Sequence, residues 1–233
     1  MLISWLNKFT LIDYPWKIAC VVFTPGCNLR CKFCHNPEFV IPEEIKKIKH
    51  NFISENIFFN FLLTRQWLLD WVSICWWEPS LHKDLKDFCK KIKKLWFLVK
   101  LDTNWRDPKL IKELIKEKLV DYFAMDVKAT FKNYSNLTQV EENFNNYKKS
   151  IELIKNSWID HEFRTTIIKW YHSEKDIKKI SGKLIWAKNY FLQNYRPWKT
   201  LESNFDWESF TEKELEEMKK LINPKIENIW IRV

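Results

Sequence analysis

The chain has 233 residues, 46% of them apolar and 30% charged, a balance that suits a folded protein with a sizeable core and argues against disorder. No run of about 18 apolar residues occurs, and the opening MLISWLNKFTLIDYP lacks a basic stretch leading into a long apolar one, so neither a membrane span nor a signal peptide is expected. The formal charge of +9 does not by itself mark a nucleic-acid binder: the lysines recur at helical spacing among glutamates, as in KLIKELIKEK, which is the pattern of solvated helix faces and suits an acidic protein partner.

In chain order, KIACVVFT (17–24) is a continuous apolar run and reads as a buried strand. A helix is predicted over 56–66, a short strand at VSIC (72–75), and a helix from a Ser80 cap to about Leu95. FLVKLDTN (97–104) is a strand, and Asp107-Pro108 opens the next helix as N-cap and first-turn proline. DYFAMDVKA (121–129) is a strand, 143–157 a helix and HEFRTTIIK (161–169) a strand. Ser173 with Asp176 forms a capping box for a helix to Ile185, and NYFLQNY (189–195) is the sixth strand. Thr211 with Glu214 caps a last helix, followed by a terminal strand at 227–233. Alternation of strand and helix with short links predicts an α/β protein with a parallel sheet. The length suits a partial (β/α)6 TIM-like barrel better than a full barrel of about 250 residues, with a doubly wound sheet as the alternative. One domain is expected over 1–233, its core at about 17–195 and a C-terminal extension at about 196–233. Ligands of such sheets gather at the carboxyl ends of the strands.

Just past the first predicted strand lies TPGCNLRCKFCHNPE, with Cys27, Cys31 and Cys34 spaced C-x3-C-x2-C. In a reducing cytoplasm, the expected location, such a cluster binds metal rather than forming disulfides. Three thiolates on one loop can hold a 4Fe–4S cube and leave one iron open, while His35 would complete a zinc site. Cys20, Cys75 and Cys89 stand alone and are expected to be buried free thiols.

The triad, with Phe33 before its third cysteine, resembles the radical S-adenosylmethionine (SAM) superfamily. The longer KFTLIDYPWKIACVVFTPGCNLRCKFCHNPE, with LVKLDTN, VDYFAMDVKA, EFRTTII and FLQNYRPWKTLE, resembles the activating proteins of anaerobic ribonucleoside-triphosphate reductases. This resemblance implies that Cys27, Cys31 and Cys34 hold the cluster and that SAM chelates the fourth iron. It implies that Phe33 packs near the adenine and that Trp76, Trp77, Glu78 and Pro79 form the loop the family writes Gly-Gly-Glu-Pro. Asp102 and Thr103 would line the site, Asp126 and Lys128 would meet SAM's ribose or carboxylate, a monovalent cation would sit near Asp102 and Asp126, and His172 would be a further site residue. The implied partners are a glycyl-radical enzyme, most specifically the anaerobic reductase, and a flavodoxin or ferredoxin reductant. Neither nucleic acid nor membrane is implied. The alternatives are activation of pyruvate formate-lyase or another radical SAM target, or an impaired iron–sulfur protein. Read without the resemblance, Asp102 and Asp126 are ordinary strand-end caps, Arg164 is a buried partner of a strand-end acid and Phe33 is simple packing.

The composition contains an anomaly of 14 Trp against 2 Gly, which together make the share of about 7% that glycine alone usually takes. Against the family pattern, Trp5, Trp16, Trp67, Trp71, Trp76, Trp77, Trp96, Trp105, Trp158, Trp170, Trp186, Trp198 and Trp230 fall where glycine is expected, and Trp207 matches no firm pattern. Glycine in the natural protein, through a code that reads UGA as glycine, accounts for this, and the Lys, Ile and Asn richness suits AT-rich coding. Several tryptophans are then expected at positive φ or in exposed turns.

Overall fold

The computed structural model describes residues 1–14, 17–75, 77–104, 106–141, 143–202 and 207–233. Its strands are β1 (Trp5–Thr10), β2 (Ala19–Phe23), β3 (Trp71–Cys75), β4 (Leu98–Thr103), β5 (Tyr122–Asp126), β6 (Asp160–Ile167), β7 (Asn189–Asn194) and β8 (Asn228–Arg232). Its helices are α1 (Pro42–Ile48), α2 (Glu55–Leu63), α3 (Leu85–Lys94), α4 (Pro108–Lys116), α5 (Phe131–Thr138), α6 (Phe144–Lys155), α7 (Glu174–Ser181) and α8 (Glu212–Lys220). The strands lie in the sheet in chain order, β1 to β8. The chain packs as two compact units, residues 1–28 with 37–123, and residues 29–36 with 124–233.

In the first unit β1 runs antiparallel to β2, and β2–β3 and β3–β4 are parallel. Every residue of β2 and β3 is buried, as continuous apolar runs require when both faces of a parallel sheet are covered. Phe58 of α2 stacks on Phe88 of α3 at 5.3 Å, and Leu62, Leu85, Cys89 and Ile92 complete the helix layer. In the second unit β6–β7 and β7–β8 are parallel. Tyr190 donates its hydroxyl to Thr165 Oγ1 at 2.8 Å, and Thr165 donates to the Val127 carbonyl at 2.7 Å, so the buried polar groups beneath the β5 and β6 ends are satisfied.

The predicted strands and most of their helices are present, with differences that have local causes. β1 was not predicted; only Leu6 and Thr10 of it are buried, so WLNKFT carries no clear alternation. The helix expected from Ser80 begins instead at Leu85. Pro79–Leu81 is a 3-10 turn whose N-cap is Glu78, and the Glu78 carboxylate, not the Ser80 hydroxyl, receives the Ser80 N–H. The Asp107-Pro108 start and both capping boxes, Ser173/Asp176 and Thr211/Glu214, form as predicted. The C-terminal extension supplies α8 and β8.

Candidate functional site

In the first unit, β2 feeds the loop Thr24–Asn28. Gly26 there has φ +96°, a conformation that favours glycine, and its N–H donates to the Phe39 carbonyl at 2.8 Å while its own carbonyl accepts from Glu78 N–H at 3.0 Å. His82 holds the same loop, its Nε2–H donating to the Pro25 carbonyl at 2.9 Å. That bond fixes the tautomer, and burial lowers the imidazole's pKa.

Glu78 is fully buried, and its carboxylate accepts from Ser80 N–H at 3.0 Å, Thr103 Oγ1 at 2.9 Å and Asn104 N–H at 2.6 Å. Burial raises its pKa, and the three donors oppose that rise by favouring the anion. Asn104, at the carboxyl end of β4, turns its side-chain amide to Asn28 Oδ1 at 2.7 Å and to Cys27 Sγ at 3.7 Å. The loop at Glu78, the end of β4 and Cys27 are therefore one hydrogen-bonded assembly. Asp102 faces Lys100 at 3.4 Å, and Pro79 is buried at the head of its turn. Trp77 packs against Val21, Phe23 and Cys75 and lies 4.5 Å from the Phe39 ring, at φ +54°. Trp16, Trp76 and Trp105 lie outside the described residues.

In the second unit, the part of the cysteine loop that carries Cys31 and Cys34 is held by backbone: Arg30 N–H donates to the Thr138 carbonyl at 2.8 Å, Lys32 N–H to the Leu137 carbonyl at 3.0 Å, and Leu201 N–H to the Cys34 carbonyl at 2.8 Å. Cys34 N–H donates to the Cys31 carbonyl at 2.9 Å, which closes a turn around Phe33. Cys31 is buried, and that burial pushes its thiol up to about 11, partly opposed by the Lys128 charge. Lys128 Nζ stands 5.6 Å from the centre of the Phe33 ring and 3.1 Å from Asp126. Arg164 Nε donates to the other Asp126 oxygen at 2.9 Å and also faces Glu162 at 3.5 Å. Burial would raise the Asp126 pKa, but the Arg164 and Lys128 charges win and hold it well below the usual carboxylate range.

His172 is buried with both ring nitrogens engaged: Nε2–H donates to the Lys128 carbonyl at 3.0 Å, and Nδ1 accepts from Ile168 N–H at 3.0 Å. Its pKa is lowered by burial, so it stands as a neutral pin for the Lys128 segment. His35 stacks on Tyr195 and reaches the Lys199 carbonyl. Cys20, Cys75 and Cys89 are buried in the first unit as expected, and burial raises the thiols of Cys20 and Cys89 to about 12, keeping them protonated.

Among the described residues no three His, Cys, Asp or Glu side chains already converge at metal-binding distance. The donor set nevertheless fits an iron–sulfur cluster. The loop offers thiols, and one of them already faces an amide donor of the kind that tunes cluster sulfurs. The acids expected near a monovalent cation face cations of the protein's own, Asp102 with Lys100 and Asp126 with Arg164 and Lys128.

Comparison with known proteins decides the family. The model of the radical SAM superfamily matches residues 21–180. The chain belongs to the radical SAM superfamily. A protein of Methanocaldococcus jannaschii, whose name assigns it to the glycyl-radical enzyme activating enzymes, is 34% identical over 239 residues, covering 99% of this chain and 95% of its own. A second protein of that organism with the same assignment is 30% identical over 131 residues, covering 56% of this chain and 43% of its own. A domain of pyruvate-formate lyase-activating enzyme from Bacteroides vulgatus superposes with a TM-score of 0.59 at 16% identity, covering 70% of this chain and 99% of that domain. Streptococcus suis SuiB bound to S-adenosylmethionine superposes with a TM-score of 0.65 at 15% identity, covering 86% of this chain and 45% of SuiB. These structural likenesses show the fold, the partial barrel of radical SAM proteins. This radical SAM chain is thus an enzyme of the glycyl-radical activating group, and membership implies SAM and a 4Fe–4S cluster. Among the described residues, no helix is long and apolar enough to cross a membrane.

Proposed function

We propose that the protein generates a glycyl radical on an anaerobic ribonucleoside-triphosphate reductase, with Cys27, Cys31 and Cys34 as the three ligands of its cluster and a flavodoxin or ferredoxin as reductant. The observation that carries the site is the cysteine loop with C-x3-C-x2-C spacing, one thiol of which meets the Asn104 amide. The reductase as target rests on the sequence likeness that runs from KFTLIDYP to FLQNYRPWKTLE.

When bound, the reduced cluster supplies the electron that cleaves SAM to methionine and a carbon radical able to take a hydrogen atom from a glycine. The chain's own residues arrange the setting for this. Glu78 ties the loop at 77–80 to the β4 end, and its carboxylate, which takes about four donors in all, keeps capacity for the ammonium of SAM. Lys128, held by Asp126 and backed by the His172 pin, offers a cation to the SAM carboxylate or ribose. Phe33 presents an apolar face for the adenine, and Trp76, Pro79, Asp102 and Thr103 are the further residues that the family resemblance assigns to SAM binding. Trp77, and Trp76 beside it, occupy the stretch where the family has paired glycines, so bulk at these positions controls whether SAM can approach.

Anaerobic reconstitution of the chain and of the Trp76→Gly/Trp77→Gly variant tests this. The variant is expected to form the cluster, release 5′-deoxyadenosine and produce the electron-spin signal of a glycyl radical on the reductase. Cluster formation without 5′-deoxyadenosine overturns the enzyme reading, and a radical on pyruvate formate-lyase but not on the reductase overturns the target.

A further inference from the structure

Among the described residues, eight non-glycine residues have positive φ, and six of them are tryptophan: Trp67, Trp77, Trp96, Trp158, Trp170 and Trp186, at +54° to +68°. The other two, Lys118 and Gln139, end helices α4 and α5, a place where left-handed residues are common. Only eleven of the chain's tryptophans are described, so more than half of them adopt a conformation that few non-glycine residues take.

The local hydrogen bonds show what each backbone position demands. Leu68 N–H donates to the Arg65 carbonyl at 3.0 Å, Tyr171 N–H to Ile168 at 3.2 Å and Ala187 N–H to Leu184 at 2.9 Å. Each bond closes a four-residue turn whose third residue is Trp67, Trp170 or Trp186. Positive φ at the third position of such a turn is a conformation ordinarily filled by glycine. Trp96 follows the C-cap Leu95 of α3 and donates its N–H to the Lys93 carbonyl at 3.0 Å, the place of a helix-ending glycine. Trp158 lies two residues beyond the C-cap of α6.

Burial does not explain these indoles, although Lys169 Nζ stands 5.4 Å from the centre of the Trp170 ring and Lys225 Nζ 5.5 Å from a ring centre of Trp186. Trp67, Trp96, Trp158, Trp170 and Trp186 are 68% to 101% exposed, which is the reverse of where so large an apolar side chain contributes. By contrast Trp71 is buried in β3, stacked on Tyr14 at 4.2 Å, and has ordinary φ; its indole N–H has no hydrogen-bond partner there.

We infer that positions 67, 77, 96, 158, 170 and 186 carry glycine in the protein as its own cell makes it, and that the gene encodes them with UGA. That codon lies one base from UGG, the tryptophan codon, and one base from GGA, a glycine codon, so a cell reading it as glycine and a translation reading it as tryptophan yield this pair of sequences. The backbone angles carry this inference independently of any family pattern, and neither test below involves cluster or SAM.

Peptide mass spectrometry of the protein purified from its source organism reads the residue directly: glycine masses at 67, 96, 158, 170 and 186 are expected, and tryptophan masses overturn the inference. The recombinant chain is then compared with its Trp67→Gly/Trp96→Gly/Trp158→Gly/Trp170→Gly/Trp186→Gly variant. Relief of left-handed strain at exposed sites is expected to raise Tm by about 10 °C in total, at about 2 °C or more per site. An equal or lower Tm overturns the claim that these positions demand glycine.

Discussion

At the scale of single residues, the site turns on Glu78 and the donors around it. Thr103→Val keeps the volume but removes the hydroxyl that bonds the Glu78 carboxylate, and a hydrogen bond to a charged group contributes about 1.5–3 kcal/mol. Chemical denaturation is expected to show a loss in that range. A loss under about 0.5 kcal/mol, the scale of an ordinary surface change, would mean that the hydroxyl is not needed there. Asn104→Ala removes the amide facing Cys27 Sγ, and since hydrogen bonds to cluster sulfurs raise the reduction potential, a redox titration of the reconstituted variant is expected to give a lower midpoint. An unchanged midpoint would place the Asn104 amide with Asn28 alone. The cysteines stand out as a candidate site in the sequence because their spacing along the chain is itself the signal, whereas Glu78 was expected there only from the family resemblance. Asn104 was read only as part of LDTN, since its partner Cys27 is 77 residues away and nothing local announces the contact. His172 was expected near the site from the family resemblance alone, and its pin between Ile168 and the Lys128 carbonyl is a property of the folded chain.

At the scale of elements, the caps were the most readable feature, because a capping box is a four-residue pattern that closes on itself. In α8, Thr211 Oγ1 accepts from Glu214 N–H at 3.3 Å, and the Glu214 carboxylate accepts from Thr211 N–H at 2.8 Å. Thr211→Ala is expected to lower stability by about 1 kcal/mol. The bond from Thr211 N–H, then the bond from Lys169, pulls the Glu214 carboxyl down to about 2. A depressed acid contributes stability in full above its ordinary pKa of about 4.3 and loses it as the pH falls toward the folded value. The Tm difference between the wild type and Glu214→Gln is therefore expected to be constant from pH 7 to about 5 and to shrink between about pH 4 and 2. A gap that stayed constant down to pH 2 would show that the carboxylate charge contributes nothing. The elements the sequence concealed were those with little periodicity. β1 buries only two of its residues, and α5 is an eight-residue helix, FKNYSNLT, with no side-chain cap. The α3 start was misplaced because Ser80 has the cap residue type while Glu78 takes the cap role.

At the scale of the whole molecule, the α/β class with a parallel sheet was legible because alternating strand and helix leaves few topologies open, and the strand order from β1 to β8 is that of the expected partial barrel rather than of a doubly wound sheet. The division into two compact units was not legible, since the boundary at 28/29 falls inside the cysteine loop, between Cys27 and Cys31, and the one at 123/124 falls within β5. No linker composition marks any of these points. The charge of +9 also acts at this scale: if the proposed reductant is an acidic flavodoxin, its approach is steered by long-range attraction, and its association rate is expected to fall about tenfold or more from low to high salt. Stopped-flow reduction across ionic strength checks this, and a flat profile would remove the acidic reductant. The left-handed tryptophans have one more consequence, for the gene rather than the molecule. In a host that treats UGA as a stop, synthesis ends no later than residue 66, after α2 and before β3. A chain ended at residue 66 lacks Glu78 and Asn104, and one ended at Trp5 or Trp16 lacks the loop cysteines as well, so the gene is quarantined: it can move between genomes as DNA and still deliver no activase outside cells that share its code.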